Sequence, residues 1–594
     1  MEIIFGPENF FIELQPNYGP KGVDQNKYNK FMLKHFWGKY NFIFSTDAHY
    51  LKADERNIHK AFLNSKSSKD REVDDFYQCA YFMSQDEVAK YLETESGCSA
   101  AQVQAMADNT KKIGKMCKVY DLNHKQILAT VPYEKEMELE ESLTVFDDVD
   151  EETYPNFYYY LHTKEPSDHY LAELVAQGFI DKYNPKTWDL NTYYKRLEEE
   201  FWTLNEVSKK IDQHMSDYFI TMSKMIDLMW EKAQSLVGPS RGSAGALLIN
   251  YLLGITQINP IELDLPYVWR FLHPSRPELP DIDIDSESDK RMAVFNAIRD
   301  FFVSLGGDVI NVCTFGTEGT KSAIKTAARG LDIDDDTVAY ITSMIPNERG
   351  FDWSLHDCYY GNGGDRKPIA AFVTEMNNHP QLWELAQAIE GLVTRLGVHA
   401  SGVVMVNGDF TEFGSYMKTT KEQIVTAYDL HDQEYAGLVK YDLLTVSALD
   451  RIRQAMNYML EDGLIQWKGS LRKTYDAYLS PSIINYTDEE MWDMASNGMI
   501  SSLFQFDTSV GSQAIKQIRP HSLKELAIAN SVMRLMGDGE LPLDKYVKFK
   551  TAPELWYNEM RAHQLTDEEQ HLLEKYLKDR CGVADTQEVL MQMV

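Results

Sequence analysis

The stretch PDIDID at residues 280–285 decides how the fold is interpreted. Its strict alternation predicts a short β-strand on which Asp281, Asp283 and Asp285 lie on one face. Three stacked carboxylates repel one another unless solvent or cations compensate. Mg²⁺ takes carboxylate oxygens, and two such ions about 3.5–4 Å apart can clamp the oxygens exchanged in a phosphoryl transfer. A solvent-facing edge strand in an acidic protein is an equally open interpretation.

A glycine-rich turn, GPSRGSAG at 238–245, precedes this strand and leads into an apolar segment typical of a helix. Backbone amides at such a turn suit phosphate, and the Arg241 guanidinium offers a fork for its oxygens. No Gly-Lys-Ser/Thr follows, so the turn is not a P-loop. A plain turn remains the alternative hypothesis.

Two further groups of charged residues carry the same ambiguity. In LVKYD (438–442), alternation places Lys440 and Asp442 on one face, either as a surface ion pair or as a triphosphate lysine beside a third metal ligand. Lys321, Lys325 and Arg329 repeat at helical spacing. Arg270 and Arg276 precede the aspartate strand. Each of these basic residues can also be interpreted as a solvated surface charge.

Composition limits the class of protein. The 594 residues are 44% hydrophobic and 25% charged, which is typical of several globular domains. A net charge of −32 argues against general affinity for nucleic acid, although a local basic face can still bind phosphates. No apolar run is long enough for a membrane span, and no secretory signal begins the sequence. Six scattered cysteines without a C-x-x-C pair favour reduced thiols, so we expect a cytoplasmic protein.

The coarse periodicity predicts an α/β multidomain protein. Amphipathic helical spacing runs through 189–236, and helices are predicted at 318–330 and 335–344. Short strands are predicted at 402–406 and 437–441, and the signal is mostly helical from 446 onward.

The motifs occur in an order that resembles the C-family replicative DNA polymerases, the alpha subunits of bacterial DNA polymerase III. GPSRGS, ITQINPIELDLPYVWRFLHPSR and PDIDID are similar to the Gly-Ser motif, linking segment and aspartate motif of that family's palm. CTFGTEGTKSAIKTAARGL, RLGVHASGVVM, GLVKYDLL and SSLFQFDTS resemble its thumb, second palm and early fingers segments. The resemblance implies six regions: a partial PHP domain (1–135), an acidic linker (136–160), the first part of a nucleotidyltransferase-type palm with a mixed sheet (161–307), a helical thumb (308–394), the second part of the palm (395–445) and the start of helical fingers (446–594).

The resemblance also implies roles for residues. Asp281, Asp283 and Asp442 would hold two Mg²⁺ ions, with Asp285 at a less essential acidic position. Triphosphate binding falls to Arg241, Gly242, Ser243 and Lys440, the nucleotide pocket to Arg270 and Arg276, and duplex DNA to Lys321 and Lys325. The implied reaction is attack of a primer 3′-hydroxyl on the α-phosphate of a dNTP, directed by a DNA template.

The sequence departs from the family pattern in three places. Asp47 and His49 match the last metal motif of the PHP domain, but its earlier histidine ligands are absent, so these two residues are vestigial or complete a site with another chain. Where the family has R-P-G-P, this chain has RLMG at 534–537. The terminal VADTQEVLMQMV resembles a segment inside the fingers, which predicts a split, phage-encoded polymerase whose remaining fingers, C-terminal regions and sliding-clamp contact come from a complementary chain. A stand-alone nucleotidyl transferase and a non-catalytic scaffold with the same palm remain alternatives.

Overall fold

The fold is taken from a computed structural model of the chain. The structure describes residues 2–17, 25–65, 75–119, 121–133, 137–265, 267–348, 350–535 and 540–593.

Ten strands are described. In chain order they are β1 (Phe11–Leu14), β2 (Asn41–Phe44), β3 (Asp283–Ser286), β4 (Asp308–Thr317), β5 (Asn347–Glu348), β6 (Phe351–Asp352), β7 (Val393–Val406), β8 (Tyr416–Lys418), β9 (Ile424–Thr426) and β10 (Lys440–Thr445).

Most of the remaining described chain is helical. The α-helices are α1 (Glu2–Phe5), α2 (Gln25–Phe36), α3 (Arg56–Ser65), α4 (Gln85–Thr94), α5 (Ala100–Met116), α6 (Met137–Ser142), α7 (Pro155–His162), α8 (Pro166–Lys182), α9 (Leu190–Ile211), α10 (Met215–Glu231), α11 (Leu248–Leu252), α12 (Val268–Phe271), α13 (Arg291–Ser304), α14 (Thr320–Gly330), α15 (Asp335–Ser343), α16 (Leu355–Tyr360), α17 (Ala370–Asn378), α18 (Pro380–Ile389), α19 (Leu430–Tyr435), α20 (Ser447–Glu461), α21 (Leu471–Tyr478), α22 (Glu489–Ser496), α23 (Ser509–Ile518), α24 (Leu523–Val532), α25 (Pro542–Thr551), α26 (Glu554–Ala562), α27 (Asp567–Leu577) and α28 (Gln587–Met593).

The largest sheet has six strands in the order β3-β10-β7-β4-β9-β8. β10 runs parallel to β3 and antiparallel to β7, while β9 runs parallel to β4 and antiparallel to β8. The prediction of an α/β protein with a mixed sheet is therefore confirmed.

One compact unit comprises Met1–Leu122 and Thr314–Gly397. Its parallel pair β1–β2 packs on α4 and α5 through buried Phe42, Tyr91 and Met106. A second core lies where α3 meets α14 and α18. There, a Cβ on Gly330 would approach the Ala61 Cβ to 2.6 Å, so glycine allows the close contact between α3 and α14.

The other unit comprises Asn123–Cys313 and Val398–Val594. Helices α8, α9 and α10 build its main core against β3, β7 and β10. The amphipathic pattern at 189–236 forms α9 and α10, which are separate helices because the chain turns at Asp212, whose φ of 57° ends α9.

The acidic segment predicted as a linker at 136–160 is packed where the structure describes it. Phe146 and Val149 are 2% and 5% exposed and belong to the same core as α8 and α9. At these two positions the apolar side chains lie inward while the neighbouring acids lie outward, and the acidic linker at 136–160 stays a prediction.

Among the described residues, no helix has the length and apolar character needed to cross a membrane.

Candidate functional site

The two predicted carboxylate strands are direct neighbours. In the parallel ladder of β3 and β10, Asp283 lies opposite Asp442. Burial alternates along both strands, so Asp283, Asp285, Lys440 and Asp442 share one half-buried face. Residues 159 positions apart in sequence are thus brought to adjacent strands, where cross-strand side chains stand about 5 Å apart.

The opposite face of these strands anchors them in the core. Ile284 and Tyr441 are 3% and 2% exposed. The Tyr218 hydroxyl on α10 donates to the Pro280 carbonyl at 2.7 Å, and the Tyr218 ring stacks against Tyr441. The segment that carries the aspartates is therefore held by packing on one side and a buried hydrogen bond at its start.

The glycine-rich turn lies against the aspartate strand. The Gly238 amide donates to the Asp285 carbonyl at 2.9 Å. A Cβ on Gly238 would come within 2.8 Å of the Asp285 Cβ, which explains glycine at this position. Gly242 has a φ of 59° and begins a 3₁₀-helix that spans Gly242–Ala246, just after Arg241.

Basic side chains from the turn and from β10 reach the carboxylates. Arg241 lies 3.2 Å from Asp285 through Nη1 and 3.8 Å from Asp283 through Nε. Lys440 Nζ lies 2.9 Å from Asp442 Oδ2. The negative face predicted from sequence is thus neutralised by the same two cations that were predicted to bind triphosphate.

Burial raises the pKa of the Asp283 carboxyl, the negative charges of Asp442 and Asp281 raise it further, and Arg241 opposes this rise. Burial also raises the pKa of Asp285, against the influence of Arg241. A cation near Asp283 would relieve this repulsion. Within the described ranges, no group of three or more His, Cys, Asp or Glu side chains is gathered closely enough to hold a metal ion.

The sequence did not single out two residues that contact this site. The buried Ser401 hydroxyl donates to Asp442 Oδ1 at 2.7 Å. His399 Nδ1 accepts hydrogen bonds from the Gly402 amide at 2.7 Å and the Ser401 amide at 3.2 Å. Burial and the Lys440 charge lower the pKa of His399, consistent with a neutral ring that accepts at Nδ1. Both residues lie in the segment RLGVHASGVVM, which was quoted only for its resemblance.

A cavity of about 950 Å³ opens beside the carboxylates. Its volume is within the range of small-molecule sites. Its wall includes predicted site residues, namely Gly242, Ser243, Arg270, Arg276, Asp281 and Asp283. It also includes residues of the last third of the chain, among them Lys524, Ser531, Arg580 and Glu588.

The other predicted residues lie in the unit that contains α14. Lys321 pairs with Asp352 at 2.7 Å and lines, with Lys325 and Arg329, a smaller cavity of about 470 Å³. The His49 ring packs against His59 and Tyr77, and its Nδ1 lies 2.7 Å from the Asp47 carbonyl oxygen.

The departure from the R-P-G-P motif falls only partly on described residues. Arg534 and Leu535 follow α24, whereas Met536 and Gly537 lie outside the described residues.

Carboxylates on a mixed sheet beside a glycine-rich, arginine-bearing turn are typical of α/β proteins that bind phosphate esters with metal ions. Residues 169–445 match the bacterial DNA polymerase III alpha NTPase domain, and residues 463–594 match the bacterial DNA polymerase III alpha subunit finger domain. The chain belongs to the bacterial DNA polymerase III alpha family.

Comparison with individual proteins indicates the same family. The chain is 42% identical over its whole length to the "Probable DNA polymerase YorL" of Bacillus subtilis and to a "DNA-directed DNA polymerase" of Bacillus phage SPbeta. A DNA polymerase III subunit alpha of Staphylococcus epidermidis is 28% identical over 60% of this chain and 31% of its own length. The chain spans 45% of the length of the first two relatives.

Proposed function

We propose that this chain carries the catalytic centre of a DNA-directed DNA polymerase, which adds nucleotides from dNTPs to a primer 3′-hydroxyl. The observation that carries the proposal is the pairing of Asp283 with Asp442, beside a cavity walled by Gly242 and Ser243. The two relatives that are named as DNA polymerases and are 42% identical to this chain align with its whole length, which supports DNA polymerase activity over other phosphoryl transfers.

The donor set suits Mg²⁺. Asp281, Asp283 and Asp442 offer hard carboxylate oxygens, and the raised pKa of Asp283 reflects repulsion that a cation would relieve. These three residues would hold the two metal ions. When bound, Mg²⁺ supplies activation of the hydroxyl and neutralisation of charge at phosphorus.

The chain's own cations would then change partners. In the structure, Arg241 and Lys440 neutralise the carboxylates. A triphosphate presents phosphate oxygens that compete for the same guanidinium and ammonium groups. Arg241 and Lys440 would orient the triphosphate, and the amides of Gly242 and Ser243 would contact its oxygens. Metal and triphosphate would therefore bind more tightly together than apart.

Basic residues on α14 are the proposed contacts with DNA. Lys321 and Lys325 on α14 would bind phosphates of the primer–template duplex. We further propose a cytoplasmic setting and contact with a sliding clamp. We propose that Asp47 and His49 are vestigial metal ligands, because two ligands cannot build a closed multi-metal site.

The experiment is primer extension on a DNA template with Mg²⁺, with Asp283→Ala as the test. Loss of a metal ligand should lower extension by about a hundred- to a thousandfold, a typical cost for the loss of a group that stabilises transition-state charge. The matched control is Asp462→Ala, which removes an equally charged but exposed side chain at the end of α20.

Extension by Asp283→Ala at the wild-type rate would overturn the assignment of the metal site. Terbium luminescence provides a second readout, because a variant that has lost a metal ligand should bind the ion more weakly while unfolding at an unchanged or higher temperature. Incorporation that needs no template would favour a stand-alone nucleotidyl transferase.

A further inference from the structure

Arg270 is held by a carboxylate from a distant part of the chain. Its Nε lies 3.3 Å from Glu588 Oε1, and its Nη2 donates to Gln587 Oε1 at 3.2 Å. Arg270 is on α12 and Glu588 is on α28, and both line the 950 Å³ cavity that contains Asp281 and Asp283. The Arg270 side chain is 29% exposed and that of Glu588 is 25% exposed, so water screens this pair only in part.

We propose that Glu588 competes with the phosphates of the incoming nucleotide for Arg270, and so sets how tightly the cavity binds dNTP. The inference rests on the proposed function. A carboxylate and a phosphate offer a guanidinium similar pairs of anionic oxygens. Glu588 therefore contacts the guanidinium with which a nucleotide phosphate would pair.

Packing keeps Glu588 at the cavity. The next residue, Val589, is 2% exposed and belongs to a core with Phe549, Trp556 and Leu577. Since Val589 is packed inward, the backbone at Glu588 is held beside the cavity. Nucleotide binding must therefore break the Arg270–Glu588 ion pair while the Glu588 carboxylate stays close to Arg270.

The Arg270–Glu588 pair is intermediate in exposure among three ion pairs in the cavity wall. Arg276 and Glu278 are 51% and 61% exposed, so solvent already screens that pair and its exchange costs little. The second pair joins Arg580 to Asp585, whose side chain is 2% exposed, so breaking it would strand a buried charge. Arg270 with Glu588 lies between these extremes, where exchange is feasible but costs measurable affinity.

The test is Glu588→Gln, which keeps the shape of the side chain and removes its charge. We expect the KM for dNTP in primer extension to fall by about three- to fivefold, the size of one partly screened ion pair, with kcat changed less than about twofold. Equilibrium binding of mant-dATP, with Mg²⁺ and a primer that lacks its 3′-hydroxyl, should tighten by the same factor. Glu559→Gln is the matched control, because it removes an equal charge from the Lys545 pair, whose acidic side chain is 31% exposed.

A double-mutant cycle separates competition from simple stabilisation. In an Arg270→Gln background, Glu588→Gln should leave mant-dATP affinity unchanged, because the group for which it competes is gone. If Glu588→Gln does not fold, Glu588→Ala removes the same carboxylate and serves in its place. An unchanged or weaker mant-dATP affinity in a folded Glu588 variant would overturn the inference. Failure of the wild-type chain to bind the nucleotide at all would instead overturn the proposed function.

Discussion

Removal of the Ser401 hydroxyl should impair catalysis through Asp442. Ser401→Ala deletes an O–H donor that lies 2.7 Å from Asp442 Oδ1. A hydrogen bond to a charged group contributes about 1.5–3 kcal/mol, and we take the lower part of that range because bound Mg²⁺ would also stabilise the Asp442 carboxylate. A loss of about 1.5–2 kcal/mol corresponds to a roughly ten- to thirtyfold lower rate of extension.

The assay is single-turnover primer extension over a series of Mg²⁺ concentrations. Because Ser401 acts on a carboxylate rather than on the nucleotide, half-saturation should move to higher Mg²⁺ while the KM for dNTP changes less than about threefold. Ser401→Thr keeps the hydroxyl in a residue that strands accept, and it should recover most of the rate. Wild-type behaviour of Ser401→Ala, or equal damage by Ser401→Thr, would refute the reasoning.

Two further predictions concern stability. Gly238→Ala should destabilise the protein by about 1–3 kcal/mol in urea unfolding, because its Cβ would crowd the Asp285 Cβ at 2.8 Å; Gly114→Ala, which meets no atom within 4 Å on α5, should be neutral or stabilising. Burial lowers the pKa of Lys182 from 10.5 to about 8, so its penalty to folding is full below pH 8 and disappears as pH rises towards 10.5. The stability difference between Lys182→Met and wild type should therefore shrink by about 1–3 kcal/mol between pH 7.5 and pH 10.5, and a constant difference in urea unfolding would contradict the buried-ammonium argument.

Local pattern predicted much of the secondary structure, and the resemblance of the motifs indicated the family. Strict alternation at 280–285 predicted a strand, although β3 begins only at Asp283, after a coil that contains Asp281. The helix prediction at 318–330 corresponds to α14, and the apolar segment after GPSRGS forms α11. The charge of the acidic segment gave no indication that Phe146 and Val149 face inward, which the structure shows.

The sequence alone determined which residue types are present, in what order, and which share a face of their own strand. Covalent geometry imposes the two-residue period of a strand, so the residues that share a face can be predicted without knowledge of the tertiary fold. Only the tertiary structure decided that Asp283 and Asp442 pair across strands, that Ser401 donates to Asp442 and that Glu588 neutralises Arg270. These contacts join residues 41 to 318 positions apart, whose proximity depends on strand order and core packing rather than on local spacing.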